Sequence, residues 1–196
     1  MNFIVRMLTL STLIVITGCA SMKPLPPWSK QQVMLKRLNT WSLVSKISVQ
    51  SERSSDFFTT VWHQNGYRYR LRMYAPFDLR SLYITGRPGH VGLWQRGKEV
   101  SAARSPETLM AQRLGWSLPV SKLRYWIRGL PAPGRRAHSI YNGEHRLLAF
   151  QQAGWQVHYL NFHRYRDFAL PRKFTLENKD FRVKVVVKRW SNLHLY

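Results

Sequence analysis

The sequence has a single cysteine and only nine acidic side chains in 196 residues, and both scarcities exclude chemistry. With Cys19 alone, no intramolecular disulfide can form, and zinc, iron–sulfur and Cys-x-x-Cys redox sites that need several thiolates are excluded with it. The acids are scattered singly, so no motif pairs two carboxylates for general acid–base work. Also absent are a Gly-x-Ser-x-Gly elbow, a phosphate-cradling glycine loop and a His-Glu-x-x-His helix. His158 and His163 fall on or near one predicted strand, but their odd separation assigns them to opposite faces, which disfavours joint metal ligation. We therefore expect no enzyme, no metal and no cofactor.

What the sequence has in excess is positive charge. Thirty-one Lys and Arg give a net charge of +22, and such a surface attracts polyanions, anionic lipid headgroups or an acidic partner. A hydrophobic content of 44%, with 13% aromatics, distinguishes the chain from a disordered polycation, and its length fits one domain with a packed core.

Long hydrophobic runs are also lacking. The longest, Met7 to Ile16, follows Arg6 and is far shorter than the ~20 residues a membrane-spanning helix needs, so residues 1–18 read as a cleavable signal. Ile16-Thr17-Gly18-Cys19 resembles the lipobox of bacterial lipoproteins, which makes Cys19 the acylated N-terminus of the mature chain. Ala20 and Ser21 follow, without the Asp that favours inner-membrane retention in such lipoproteins, and this points to the outer membrane, with the body facing the periplasm. Residues 19–27, with Pro24, Pro26 and Pro27, read as a stiff lipidated tether, and residues 28–196 as a single folded domain.

In that domain, Trp28 to Asn39 has the spacing of an amphipathic helix. Period-two alternation then predicts strands at Leu43–Gln50, Phe57–Gln64, Tyr67–Tyr74, Leu79–Thr85 and Val91–Gln95. Ser105 as N-cap, Pro106 at the first helical position and Gly115 as stop define a second helix, and a third runs from about Val120 to Arg128. Strands resume at Leu147–Gln151, Trp155–Phe162, Arg172–Leu176 and Phe181–Trp190. The segment from Tyr67 to Arg72 mixes aromatics and arginines as nucleic-acid platforms do. Alternation, however, sets Tyr67, Tyr69, Leu71 and Met73 on one face and Arg68, Arg70 and Arg72 on the other, so stacking and phosphate contact cannot cooperate. No nucleic-acid partner is expected, and the alternation predicts a core face backed by a basic solvent face.

The run Leu-Pro-Val-Ser-Lys-Leu-Arg-Tyr-Trp-Ile-Arg-Gly-Leu-Pro from Leu118 to Pro131 closely resembles the signature of the LolB family of outer-membrane lipoprotein receptors. Trp62-x-Gln64, Ala75-Pro76-Phe77, Gly86-x-x-Gly89, Gly154-Trp155-x-Val157-x-Tyr159, Leu170-Pro171 and Trp190 agree with it in order and spacing. The resemblance implies a mainly β fold of the α+β class: an incomplete antiparallel β-barrel lidded by short helices around a hydrophobic cavity for acyl chains. It implies a monomeric receptor that takes lipoproteins from a LolA-like periplasmic carrier and inserts them into the inner leaflet of the outer membrane. Leu71, Met73, Leu82, Ile84, Trp126 and Ile127 are assigned to the cavity wall, the strand positions by alternation or the family's inward pattern and the last two by the helix's apolar stripe. The family also carries an exposed Leu in a Pro-Leu-Gly loop that is needed to release cargo into the membrane. Here the matching residues are Pro76-Phe77-Asp78, so the membrane-insertion role falls to Phe77. The alternative is a lipid-anchored envelope protein that binds nucleic acid or lipopolysaccharide through its basic surface.

Overall fold

The computed structural model describes residues 24–75, 81–115, 117–134 and 136–195; the leader, Cys19 and the Pro76-Phe77-Asp78 segment lie outside the described residues. In chain order the elements are α1 (Trp28–Arg37), β1 (Leu38–Gln50), β2 (Ser55–Asn65), β3 (Arg68–Tyr74), β4 (Leu82–Arg87), β5 (His90–Gln95) and β6 (Lys98–Ala103). Then come α2 (Pro106–Leu114), α3 (Val120–Trp126), β7 (His138–Tyr141), β8 (Leu147–Gln152), β9 (Trp155–Tyr165), β10 (Phe168–Glu177) and β11 (Arg182–Leu195).

All eleven strands form one sheet in the order β6-β5-β4-β3-β2-β1-β11-β10-β9-β8-β7, and every pairing is antiparallel. Each strand pairs with its neighbour in sequence, except that β1 joins β11 from Leu38↔Leu195 to Gln50↔Arg182. Two meanders are thus stitched through the first and last strands, leaving β6 and β7 as edges. The chain crosses from one edge to the other through α2 and α3. Inward side chains from both meanders, such as Leu71 and Ile84 on one and Val157 and Leu176 on the other, meet the helices in one core cluster. The sheet therefore curls into an incomplete barrel with helices at its gap.

Alternation sets the inner layer. Ile47 and Val49 on β1, Phe58 and Trp62 on β2, and Val183, Val185 and Val187 on β11 are buried while their neighbours are half-buried or exposed. Gly86 serves a close approach rather than a turn: it pairs with Tyr69, and a Cβ there would lie 2.1 Å from the tyrosine ring. The α2 signals act as read, since Ser105 Oγ accepts from the Thr108 N–H at 3.1 Å and Gly115 takes a left-handed C-cap at φ 74°.

Four expectations need correction. The first helix ends at Arg37 rather than Asn39, because Leu38 already pairs with β11. Tyr67 is not on the core face; it sits in the β2–β3 turn, 68% exposed, with the Arg124 guanidinium 4.7 Å from its ring centroid. Edge strands β6 and β7 went unread because Lys98–Ala103 and His138–Tyr141 carry no buried alternation. Finally, the pairing of β9 with β10 is irregular where it passes over Leu160 on one strand and Arg172 on the other, and Phe162 comes to the same side as Tyr159. The alternation slips by one residue there, and His158 and His163 are both exposed instead of lying on opposite faces.

Candidate functional site

The inner face of β3 and β4 supplies four of the six predicted wall residues. Leu71 pairs with Ile84 and Met73 with Leu82, so the four form two facing rungs on the concave side. Leu71, Met73 and Ile84 are at most 3% exposed, and Leu82 is half-buried at the rim toward the β3–β4 connection. Trp126 ends α3 and Ile127 follows it, both buried in the same cluster. All six border the one core cluster, but the contacts of Trp126 are with Phe150, Gln152 and Tyr159 of the other meander, across the interior from the β3–β4 rungs. The side chains of this wall pack into the core, and concavities of 790 and 820 Å³ open on the outer face of the sheet.

The two lid helices are held differently. Around α3 the ties are buried polar bonds. Trp126 Nε1 donates to Gln152 Oε1 at 3.0 Å, the Gln152 amide exchanges two bonds of 2.8 Å with the Ala132 backbone, and the Tyr159 hydroxyl donates to the Trp126 carbonyl at 2.6 Å. Arg128, 5% exposed, donates to the carbonyls of Leu35 at 2.9 Å and Leu38, and through Nε to the Arg124 carbonyl at 2.9 Å. Its other close neighbour is the Tyr125 ring, 5.2 Å away. On the far side Gln31 of α1 donates to the Asp167 carbonyl at 2.9 Å and accepts from the Ala169 N–H at 3.2 Å.

By contrast, α2 places Leu109 and Met110 in the core, each 1% exposed, but its polar ties to other elements are on the surface, with Arg113 Nη2 donating to the Val100 carbonyl at 3.4 Å. Glu107 Oε1 accepts from the Ser121 N–H at 2.9 Å and from its hydroxyl at 2.6 Å. That carboxylate caps α3, whose own N-cap residue, Pro119, offers no side-chain bond.

Burial governs the site's ionisable groups. It lowers the Arg128 pKa to about 10, with Arg124 adding repulsion and Tyr125 opposing both, so the guanidinium is still charged at neutral pH. It holds the Tyr159 phenol well above its ordinary value, as a hydroxyl donor. On the outer face, desolvation and then Arg70 and Arg72 lower the pKa of His63, whose Nδ1 lies 2.8 Å from Ser42 Oγ.

Gln31, Arg128, Gln152 and Tyr159 were not singled out from the sequence as parts of the site. A signal for Gln152 existed, since it shares its alternation parity with Phe150 and so puts an amide on an apolar face.

This architecture and these residues match known proteins. A model of the family described as outer membrane lipoprotein LolB matches residues 39–190. The chain belongs to the LolB family. An outer-membrane lipoprotein LolB of Coxiella burnetii is 36% identical over 188 residues, covering 91% of this chain and 89% of the relative. The LolB of Pseudomonas savastanoi pv. phaseolicola is 33% identical, covering 96% and 97%, and that of Pseudomonas putida is 37% identical, covering 84% and 80%. Among solved structures, a LolA superfamily protein from Nitrosomonas europaea superposes with a TM-score of 0.55 at 10% identity, over 88% of this chain and 96% of its own, a likeness of fold alone. The LolB relatives give no support to the polyanion-binding alternative.

Proposed function

We infer that the protein is the outer-membrane receptor of lipoprotein sorting, a trafficking protein that accepts lipoproteins from a LolA-type periplasmic carrier and passes them into the inner leaflet of the outer membrane. LolB membership over the body of the chain carries this reading, and a barrel whose apolar interior is covered by two short helices gives it a mechanism. Residues 1–18 are the signal, Cys19 is the acylated mature N-terminus, residues 19–27 are the tether, and residues 28–196 act as a monomeric receptor domain.

The physical need is for shielding. Burial of acyl chains is worth ~0.8 kcal/mol per CH₂, so one chain of ~16 carbons loses roughly 12 kcal/mol on passing into water. Leu71, Met73, Leu82, Ile84, Trp126 and Ile127 form the wall that receives the chains, and the lid moves to admit them. The buried bonds around Trp126, Gln152 and Arg128 hold α3 fixed, while the surface Glu107–Ser121 contact holds α2, so α2 is the gate. Swinging it out removes Leu109 and Met110 from the core at a cost of about 3–6 kcal/mol, which an entering acyl chain outweighs. Transfer runs downhill from carrier to receptor to bilayer, and Phe77 enters the bilayer at hand-over.

The test is transfer of a lipoprotein from a loaded carrier to the full-length chain and then to vesicles. Phe77→Glu is expected to accept cargo at near wild-type levels and fail to release it, while Phe77→Leu functions. Normal delivery by Phe77→Glu moves the insertion role elsewhere, and failure of the wild type to accept cargo overturns the receptor reading.

A further inference from the structure

We propose that the outer face of the barrel, at the end where β3 and β4 connect, is a docking collar for a bilayer containing anionic phospholipid. It would hold the receptor with that connection pointed at the membrane. The inference rests on the membrane hand-over assigned above and names a second membrane contact, made by the folded strands.

The register of the sheet builds the collar. Lys46 of β1 lies between Val186 and Thr59, and Thr59 pairs with Tyr74 at the end of β3. One rung along, Arg72 pairs with Tyr83, and Tyr83 pairs with Trp94. These residues alternate with the buried layer and so point outward together, forming an oblique aromatic and cationic band across β11, β1, β2, β3, β4 and β5.

Phe57 and Tyr74 are 56% and 40% exposed and lie beside the cations of this band, so the face presents apolar rings and positive charge to solvent together. The Arg72 guanidinium sits 4.7 Å from the Tyr83 ring centroid. Two concavities, of 350 and 820 Å³, flank Tyr74 and share it as a wall. Lys46 and Lys184 line the smaller, and Arg72, Arg96 and Lys98 the larger; among the described residues, no carboxylate lines either.

Charge decides the occupant. Rings with one apolar body and one polar tip, interspersed with cations on flexible stems, match the headgroup layer of a bilayer, where aromatics settle at the interface and each Lys or Arg gains from anionic lipid. Placement agrees, because the β3–β4 connection holds Phe77 and the β5–β6 turn at the same end holds Arg96. The groove toward the other end differs: it is lined by His63, Arg70 and His90 but also by the carboxylate of Glu99, whose backbone pairs with Trp94 and whose side chain extends to bond His90 at 3.0 Å.

Because Cys19 is the only native cysteine and is consumed by acylation in this reading, one introduced cysteine can be labelled uniquely. Thr59→Cys on the collar and Arg87→Cys at the far end are each labelled with a polarity-sensitive fluorophore in the full-length acylated chain, which is reconstituted in vesicles. With phosphatidylglycerol in phosphatidylethanolamine, the Thr59→Cys label is expected to shift to the blue and the Arg87→Cys label to remain water-like. With phosphatidylcholine alone, or with free glycerophosphate added, the shift is absent. Adding Lys46→Glu and Lys184→Glu, both on exposed positions, should abolish it while the circular dichroism stays unchanged. A Thr59→Cys label that stays water-like on anionic vesicles while lipoprotein is still delivered to them overturns the collar and leaves the receptor reading intact. A shift seen only on adding the periplasmic carrier makes this face a protein contact and also overturns the proposal. Failed delivery with a normal shift counts against the receptor reading alone.

Discussion

Arg128 brings a full positive charge into a core where its partners are carbonyls and an aromatic ring. Such a group is costly to bury, and the cost is offset because the Leu35 and Leu38 carbonyls, at the junction of α1 and β1, need donors. Arg128→Met keeps much of the volume and leaves those carbonyls unpaired, so we expect a loss of ~2–4 kcal/mol. In calorimetry this appears as a fall in Tm of about 4–16 °C; an unchanged Tm would show that the bonds do not hold the lid. The role was not legible in the sequence, because the bonded carbonyls lie 93 and 90 positions away. The Ser105 cap and the Gly115 stop were legible because each acts within a turn of its own helix. The wall residues fall between these cases: alternation put Leu71 and Met73 on one face, and only the fold brought Trp126 into the same core cluster.

At the level of elements, the lid depends on one helix capping another. Glu107 sits in the first turn of its own helix, where it complements the dipole, and it also caps α3 through Ser121. Glu107→Ala is expected to cost ~0.5–1.5 kcal/mol and to raise amide hydrogen exchange across residues 106–114 while the β1–β11 pairing keeps its protection. Equal acceleration in lid and sheet would contradict a separately opening α2. The long strands were readable because one buried face writes period two into the sequence. Edge strands β6 and β7 have little buried face to write it, and the irregularity at Leu160 breaks the period inside β9 without any Gly or Pro to mark it.

The whole molecule separates its chemistry by face: apolar side chains of two meanders and three helices inside, and most Lys and Arg among the described residues outside. The three arginines of β3 are divided along that outer face, Arg72 toward the collar and Arg68 and Arg70 in the groove that reaches the opposite end. The central claim is that the apolar interior opens to hold acyl chains. Adjacent residues of β3 test this directly, because Met73 faces in and Arg72 faces out on the same strand. A photoreactive side chain is placed at one or the other position, and the receptor is loaded with a lipoprotein carrying radiolabelled acyl chains. The account predicts that illumination transfers acyl label to the Met73 position and not to the Arg72 position. Labelling at Arg72 with none at Met73 would contradict it.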